Sequence, residues 1–385
     1  NCSTVKGACC AFNESVVYGA EDFNCGRWCS LDEYVYTSHM TDDPEILFDL
    51  RDGVAEVTLN RPRALNALTL DMVRVFDPQL AAWEGDGAVR AVVARGSGDK
   101  AFCAGGDVQK LYDGRPGCAV HKEFFREEYR LNRRIHNYPK PYVALMDGIT
   151  MGGGVGLSIH AGTRIAADNT MFAMPETGIG LFPDVGGSWF LPRLPGEIGM
   201  FMAMTGVRLK AADCVYAGIC DAYIPNDRHD ELIDVLRGGS GVEEVVARFS
   251  EVPGEAPLAE QRDAIDRCFA GDTVEAIIAA LEREDSEWAE KQLSIMAGKS
   301  PTSQKISHRQ LRMGSRLNFD DCMIMEYRMS QHLMEGGDFF EGVRAVVVDK
   351  DMSPKWSPAA LSDLSERDVE KYFEPLGNRD LTFPA

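Results

Sequence analysis

The sequence is short of basic residues. Its 385 residues include 40 Lys and Arg against 60 Asp and Glu, which gives a net charge of −20. A chain this acidic binds nucleic acid or an anionic membrane surface poorly, because both carry negative charge themselves. No apolar run approaches the roughly 20 residues that cross a bilayer. We therefore expect no nucleic-acid partner and no membrane segment, and an anionic ligand would need a local basic pocket.

Residue spacings typical of a metal site are also missing. The seven histidines do not cluster, and no pair of cysteines has zinc-site spacing together with a histidine partner. We therefore predict no metal. Six of the eleven cysteines are scattered singly, which is typical of buried thiols in a reducing compartment. We predict the cytoplasm as the location, or the mitochondrial matrix if the chain is eukaryotic.

Residues 1–39 differ from the rest of the chain. They hold the other five cysteines and show no strong periodicity. They lack both the arginine-rich, acid-poor character of a mitochondrial presequence and the apolar core of a secretory signal. The segment ends in Ser38-His39-Met40, which resembles the remnant of a cloning site before a native start at Met40. We expect residues 1–39 to be a non-native or disordered extension, with metal binding by their cysteines as the alternative.

Beyond this extension the pattern becomes regular. Residues 46–50 and 54–59 alternate apolar with polar side chains around a hairpin signal, and residues 69–83 have apolar residues at helical spacing. Strand, strand and helix then recur in this order, which predicts an α/β fold with helices covering sheets. Strand signals fade beyond Gly187, and helices are predicted as far as residue 336.

A glycine-rich segment divides the chain. Residues 238–241 (GGSG) have the most flexible composition in the sequence. We place a domain or subdomain boundary there. Residues 40–237 would form the α/β core with the site, and residues 238–385 a helical region. Four or five helices are expected between residues 257 and 336, one of them capped by Ser300.

The residues best suited to chemistry lie between Tyr142 and Gly187. An apolar run, residues 142–146, is followed by the glycines 152–154 and then by a short buried helix. Glycines between a strand and a helix let peptide N–H groups approach a ligand at the positive end of the helix dipole. Glu176 and Asp184 follow on turns flanked by proline or glycine. Oxyanion donors beside two carboxylates indicate acyl chemistry.

Three motifs resemble the crotonase (enoyl-CoA hydratase/isomerase) superfamily: AFCAGGD, DGITMGGGVGLS and FAMPETGIGLFPDVGG. Within it the chain resembles the 3-hydroxyisobutyryl-CoA hydrolase family over about residues 46–351, through further motifs such as NRPRALNAL, FFREEY, SPTSQKIS, EYRMSQ and SPKW. The resemblance implies a crotonase-like spiral of ββα units followed by a helical C-terminal region. It also implies a coenzyme A thioester as substrate, no separate cofactor, and hydrolysis of a small 3-hydroxyacyl group in valine catabolism.

The resemblance further implies the catalytic residues. The peptide N–H groups of Gly106 and Gly153 would form an oxyanion hole, with ordinary glycine turns as the alternative. Glu176 would be the catalytic carboxylate, either as a general base toward water or as a nucleophile that forms an anhydride. Asp184 would bind the 3-hydroxyl group or position water. An N-cap of the following helix is the alternative for Asp184.

Other residues are implied as substrate contacts. Arg61 and Arg63 are candidates for the phosphates of the coenzyme, which would supply the local positive charge. Glu128 matches a substrate-contacting acid, with a solvated helix face as the alternative. The remaining contacts are Gly105, Asp107 and Ala67. A homo-oligomer is left open.

One position departs from the hydratase pattern. Hydratases of the superfamily carry a first glutamate just after the glycine triplet, and here that position is Gly156. Adding water across a double bond would then lack one of two acid–base partners, whereas hydrolysis needs one carboxylate beside the oxyanion hole. We therefore prefer a hydrolase over an enoyl-CoA hydratase/isomerase or a non-catalytic scaffold. Cys103 and His160 are predicted to be core residues.

Overall fold

The computed structural model describes residues 44–114 and 120–383 of the chain. The predictions made for residues 1–39 lie outside these residues. From Pro44 onward the chain forms one compact unit. Among the described helices, none is both long and apolar enough to cross a membrane.

The strands and helices have the following bounds. The strands are β1 (Ile46–Arg51), β2 (Val54–Leu59), β3 (Ala91–Gly96), β4 (Ala101–Cys103), β5 (Tyr142–Met146), β6 (Ile149–Met151), β7 (Thr163–Ala166), β8 (Met171–Ala173), β9 (Leu209–Lys210) and β10 (Ala222–Tyr223). The α-helices are α1 (Leu70–Gly85), α2 (Val108–Gly114), α3 (Val120–His136), α4 (Gly153–Ser158), α5 (Gly187–Phe190), α6 (Ile198–Thr205), α7 (Ala211–Tyr216), α8 (His229–Arg237), α9 (Val242–Phe249), α10 (Pro257–Cys268), α11 (Val274–Glu284), α12 (Glu287–Ala297), α13 (Pro301–Gly314), α14 (Phe319–Met334), α15 (Asp338–Val343) and α16 (Glu366–Glu370).

The strands form two sheets, and the chain alternates between them. The first sheet has the order β1-β2-β3-β5-β7-β10, in which β1 and β2 are antiparallel and the other neighbours parallel. The second has the order β4-β6-β8-β9, in which β4, β6 and β8 are parallel. From β3 to β8, each strand of the first sheet is followed by a strand of the second. This alternation is the spiral of ββα units that the resemblance implied.

β5 shows how the sequence specifies a central strand. All five of its residues are at most 1% exposed, as expected for a parallel sheet covered by helices on both faces. Val143 and Leu145 pack in the cluster that contains Leu232 of α8, whereas Ala144 and Met146 pack in the main core. Because successive side chains point to opposite faces, this alternation places helices on both sides of the first sheet.

The predicted hairpin and first helix are confirmed, with ends that differ by one or two residues. The short strands β6, β8, β9 and β10 and the helix α2 were not predicted. These strands have only two or three residues, which is too short for a periodic pattern. Their hydrogen-bond partners come from distant parts of the sequence, so tertiary pairing rather than local propensity creates them.

The helical region is also as predicted. The helices α10 to α14 lie between residues 257 and 334. The Ser300 hydroxyl group caps α13 by accepting a hydrogen bond from Ser303 N at 3.1 Å, and Pro301 occupies the first helical position. Residues 238–241 connect α8 with α9, and the domain boundary placed there stays a prediction.

Candidate active site

Three turns meet at one edge of the second sheet. β4, β6 and β8 are adjacent and parallel, so their carboxyl ends lie side by side. β4 leads into Gly105-Gly106, β6 leads into Gly152-Gly153, and Glu176 follows three residues after β8. In α/β proteins the carboxyl ends of parallel strands are where ligands commonly bind. The topology thus brings together residues that are 70 positions apart in the sequence.

These turns line a cavity of about 120 Å³. Its remaining walls come from α2, α3 and the segment that follows Glu176. The predicted site residues that line it are Gly105, Gly106, Glu128, Gly153, Glu176 and Asp184. Apolar side chains complete the wall, namely Val108, Leu111, Phe124, Phe125, Met151, Ile179 and Leu181. A mostly apolar cavity with a few convergent polar groups is the usual form of a small-molecule site.

A larger groove elsewhere on the surface is a weaker candidate. It has a volume of about 720 Å³ and is lined by residues of α1, α3 and the C-terminal segment. Two of its three guanidinium groups are paired with carboxylates, Arg133 with Asp320 and Arg134 with Asp77, and Arg130 donates to the Thr382 carbonyl oxygen at 3.3 Å. Unlike the cavity beside the glycine turns, this groove contains no buried carboxyl oxygen without a partner among the described residues.

The two glycine turns approach each other closely. A Cβ built on Gly153 would lie 2.6 Å from Glu128 Oε1 and 3.1 Å from the Gly106 nitrogen. Gly152 has a φ of +46°, in a region that side chains disfavour. Gly153 is the first residue of α4, so its N–H group has no acceptor within the helix. Main-chain atoms rather than side chains therefore form this wall of the cavity.

Glu176 is buried beside the same turns, with its Oε1 3.5 Å from where a Cβ on Gly152 would stand. It begins a 3₁₀ turn directly after Pro175 and is 4% exposed. Within the described residues, no group donates a hydrogen bond to its Oε2. Burial raises the pKa of Glu176 well above its usual value, the charge of Asp184 raises it further, and Lys299 opposes the increase. A buried carboxyl atom without a partner can bind a ligand or accept a proton.

Asp184 is held by a tyrosine. Its Oδ2 accepts a hydrogen bond from the Tyr129 hydroxyl group at 2.9 Å. Burial raises the pKa of Asp184 to about 7, although this hydrogen bond acts in the opposite direction. The alternative of an N-cap is wrong, because α5 begins after Gly186 and no side chain caps it.

Glu128 completes a group of three carboxylates. It lies on the buried face of α3 and is 2% exposed, so the alternative of a solvated helix face is wrong. No group in the described part of the chain donates to its Oε1. Burial, and then the charge of Asp184, raise the pKa of Glu128 well above its usual range. Interacting carboxyl groups of this kind titrate together rather than one by one.

Arg61 forms hydrogen bonds with Asp107 and Ala67 next to the turn that contains Gly106. Arg61 donates to Asp107 Oδ2 at 3.0 Å and to the Ala67 carbonyl oxygen, and its Nε lies 3.1 Å from Glu45 Oε1. Two carboxylates thus offset the charge of Arg61. The hydrogen bonds of Arg61 also fix the turn that contains Gly106. The assignment of Arg61 to a phosphate stays a prediction.

Arg63 lies apart from the cavity carboxylates. It lines a depression of about 240 Å³ together with Lys100 and Asp99. The side chain of Arg63 is exposed. It is therefore accessible to an anionic group, unlike Arg61.

Cys103 and His160 are buried core residues, as predicted, and Gly156 is tightly packed. Cys103 is 0% exposed, and burial raises the pKa of its thiol to about 12, which makes it a core residue. His160 is buried, with Nε2 2.8 Å from the Val185 carbonyl oxygen. A Cβ on Gly156 would lie 2.6 Å from Asn132 Nδ2, so this position has no room for a side chain without rearrangement.

Four residues near the site were not singled out from the sequence. Tyr129 and Glu326 lie within the motifs FFREEY and EYRMSQ, so the resemblance contained a signal for them. Gln310 and Lys299 lie outside the quoted motifs, and their nearness to the site comes only from the packing of the helical region. The Lys299 amine lies 3.2 Å from where a Cβ on Gly178 would stand. Among the described residues, no group of three or more His, Cys, Asp or Glu is arranged to hold a metal ion.

Comparison with known proteins identifies similar sequences over most of the chain. A family model described as enoyl-CoA hydratase/isomerase matches residues 54–373. The mitochondrial 3-hydroxyisobutyryl-CoA hydrolase of Danio rerio is 47% identical over 348 residues, which cover 88% of this chain and 91% of the relative. The enzyme of the same name from Homo sapiens is 45% identical over 358 residues, 90% of this chain and 93% of the relative. Both names place those proteins in mitochondria rather than in the cytoplasm.

Solved structures have the same fold. A carnitinyl-CoA dehydratase from Mycobacterium thermoresistibile superposes with a TM-score of 0.85 at 42% identity and covers 89% of this chain and 99% of its own. An enoyl-CoA hydratase from Rhodobacter sphaeroides 2.4.1 superposes with a TM-score of 0.83 at 39% identity, over 88% of this chain and 100% of its own.

Proposed function

This chain belongs to the enoyl-CoA hydratase/isomerase family, and we propose that it hydrolyses 3-hydroxyisobutyryl-CoA to 3-hydroxyisobutyrate and coenzyme A. The observation that carries the proposal is the cavity in which two glycine turns face Glu176 and Asp184. Those groups suit the attack of water on a thioester. Identities of 45–47% with two curated hydrolases support this choice of reaction.

The glycine turns would stabilise the transition state. The thioester carbonyl oxygen would lie between the peptide N–H groups of Gly106 and Gly153, which act as an oxyanion hole. Negative charge develops on this oxygen when the carbonyl carbon becomes tetrahedral, and fixed donors stabilise it without reorganising. The loss of one such donor typically lowers the rate by about 10²–10³.

Glu176 would start the reaction in one of two ways. As a general base it takes a proton from water, the water oxygen bonds to the carbonyl carbon, and the C–S bond then breaks. The coenzyme leaves as a thiolate that takes up a proton. As a nucleophile, Glu176 itself bonds to the carbonyl carbon and releases the thiolate, and water then hydrolyses the anhydride. Both routes begin from ionised Glu176. Since its pKa is raised, the rate should increase with pH.

Asp184 would recognise the acyl group. Tyr129 already occupies Oδ2 of Asp184, which leaves Oδ1 to accept a hydrogen bond from the 3-hydroxyl group or from the attacking water. Glu128, with its unpartnered Oε1, lies beside the same acyl position. The exposed Arg63 is the better candidate for a coenzyme phosphate than Arg61, whose charge is already offset.

The cellular setting follows from the reaction proposed. Hydrolysis of this thioester belongs to valine catabolism. The location would be the cytoplasm in a bacterium and the mitochondrial matrix in a eukaryote, where the curated relatives are named as mitochondrial.

A thiol-release assay tests the proposal. The purified chain is mixed with 3-hydroxyisobutyryl-CoA, and free coenzyme A is measured with a thiol-reactive dye. We expect multiple turnovers that depend on enzyme concentration. 3-Hydroxypropionyl-CoA and plain isobutyryl-CoA serve as comparison substrates. Absence of thiol release from all three thioesters would refute the proposal that the chain is a thioester hydrolase.

Hydration of an enoyl thioester is the second candidate. The solved structure named as an enoyl-CoA hydratase favours it, but the crowded surroundings of Gly156 oppose it. Crotonyl-CoA should therefore show little loss of its enoyl absorbance. Gly156→Glu should lose hydrolysis and gain at most a trace of hydration, because the new carboxylate would be buried against Asn132. Fast hydration by the unmodified chain would overturn this view.

A further inference from the structure

Asp184 lies on a short segment with an unfavourable backbone. Val185 has a φ of +50° and Gly186 a φ of +91°. A β-branched residue rarely adopts this left-handed region, because its side chain then crowds the main chain. Contacts from outside must therefore hold the segment from Pro183 to Ser188 in place.

Two side chains of the helical region hold this segment. Oε2 of Glu326, on α14, accepts a hydrogen bond from Gly186 N at 2.8 Å. Oε1 of Glu326 accepts one from Ser188 N at 2.8 Å and another from the Ser188 hydroxyl group. Gln310, on α13, donates to the Pro183 carbonyl oxygen at 2.7 Å. The peptide groups that follow Asp184 are thus fixed by a residue about 140 positions later in the chain.

Glu326 is an unusual residue for a purely structural position. It is 0% exposed and does not line the cavity. The donors to its carboxylate within the described residues are Gly186, Ser188 and Gln310, and none of them is a cation. Burying a carboxylate without a cation is costly, and an apolar side chain of similar volume often stabilises a fold better. Packing alone therefore does not explain a carboxylate here.

We propose that Glu326 is a positioning residue, which fixes the peptide groups of Gly186 and Ser188 so that the carboxylate of Asp184 faces the cavity beside Tyr129. The inference rests on the proposed function, because it gives Asp184 a role in the reaction. Glu326 does not touch the substrate and acts only through Asp184. The helical region then supplies part of the framework of the active site.

A double-mutant cycle with Asp184 tests this inference. The variants are Glu326→Gln, Asp184→Asn and their combination, each measured for kcat and KM with 3-hydroxyisobutyryl-CoA. Gln keeps one acceptor oxygen but turns an N–H group toward one of the three donors. We expect Glu326→Gln alone to lower kcat/KM by about 10-fold, the effect of losing one hydrogen bond. In the Asp184→Asn background the same change should cost less than about twofold, because its effect passes through Asp184.

Two further variants separate positioning from general destabilisation. Glu326→Leu removes every acceptor contact and should lower kcat/KM by about 10–100-fold, no more than the loss of the Asp184 carboxylate itself. Met329→Ala removes a fully buried side chain of the same helix, which makes no hydrogen bond to the Asp184 segment. It should lower the melting temperature while kcat/KM stays within about twofold well below that temperature.

The outcomes are distinct. Equal losses for Glu326→Gln in both backgrounds, or an equal loss for Met329→Ala, would overturn the positioning role and leave the proposed function intact. If the unmodified chain releases no thiol from the thioester, the proposed function itself fails, and the inference fails with it.

Discussion

The chain contains two groups of carboxylates in opposite surroundings. The cavity carboxylates are buried, and no cation lies within hydrogen-bond distance of them in the described part of the chain. The second group, the Arg344 cluster, is partly exposed, and each of its acids lies 2.7–2.8 Å from the Arg344 guanidinium. The cavity carboxylates are Glu128, Glu176 and Asp184, and the Arg344 cluster consists of Glu341, Asp349 and Asp351 with Arg344.

The pKa shifts in the two groups have opposite signs. Burial raises the pKa of Asp184 to about 7, whereas hydrogen bonds from Arg344 lower the pKa of Asp351 and of Glu341. A carboxylate that is paired with a cation stays ionised, so it does not exchange a proton near neutral pH. An unpaired buried carboxylate is costly to ionise, but it can exchange a proton near neutral pH. The same residue types thus serve stability in one place and reactivity in the other.

Glu176→Gln tests the comparison most strongly. The change should lower kcat by about 10²–10⁴, since it removes the general base or nucleophile. It should also abolish the rise in rate with pH. The control is Glu341→Gln, the same chemical change within the Arg344 cluster, which should leave kcat unchanged. Near-normal thiol release by Glu176→Gln would contradict the role of this residue.

Gly153→Ala has the next largest expected effect. Its new Cβ would lie 2.6 Å from Glu128 Oε1 and 3.1 Å from the Gly106 nitrogen, so it would displace the carbonyl oxygen from the oxyanion hole. We expect a loss of about 10²–10³ in kcat. Gly162→Ala is the matched control, because its Cβ would meet only the Tyr142 carbonyl oxygen at 3.9 Å. Equal activity of the two variants would mean that the Gly153 turn is not part of the reaction.

The sequence was informative about one half of this site and silent about the other. The strand β4 and the glycine turns follow from local patterns, and the role of Glu176 follows from the resemblance. The short strands β6 and β8, which lead to Gly153 and Glu176, do not follow from local patterns, because tertiary pairing creates them. The sequence did not decide whether Glu128 is buried, because tertiary packing determines which face of the charge-rich helix α3 is covered. The contacts of Glu326 and Gln310 with the Asp184 segment depend on helices more than 100 residues away. Local patterns contain no information about such contacts.

Asp184→Asn should change substrate preference. If the Asp184 carboxylate accepts the 3-hydroxyl proton, the variant should lose about 10–100-fold in kcat/KM with 3-hydroxyisobutyryl-CoA. The loss with isobutyryl-CoA, which has no hydroxyl group, should be much smaller. Thiol release from both thioesters measures this difference. An equal loss with both would point to a role in placing water.

The same variant should gain stability at high pH. The folded-state pKa of Asp184 is about 7 against a usual value of 3.8, so the fold favours the protonated form. Its contribution to stability is complete below about pH 4 and is lost as the pH rises to about 7. Asp184→Asn should therefore be more stable than the unmodified chain at pH 8, by at most about 4 kcal/mol, and equally stable at pH 3.5. Thermal unfolding at both pH values checks the sign, and a loss of stability at pH 8 would contradict it.

Asp351→Asn should have the smallest effect, and the opposite sign. Because Arg344 lowers the pKa of Asp351, the ion pair stabilises the fold above the usual pKa of an aspartate and is lost as the pH falls through the lowered value. The variant should melt slightly below the unmodified chain at pH 8, and this difference should vanish in strong acid. Salt should also reduce it, since exposed charges are screened, whereas the gain from Asp184→Asn in the buried cavity should persist at high salt. Thiol release should be unchanged, because Asp351 lines no part of the cavity. A salt-independent loss of stability, or a loss of activity, would contradict the division of the two groups into a stabilising and a catalytic one.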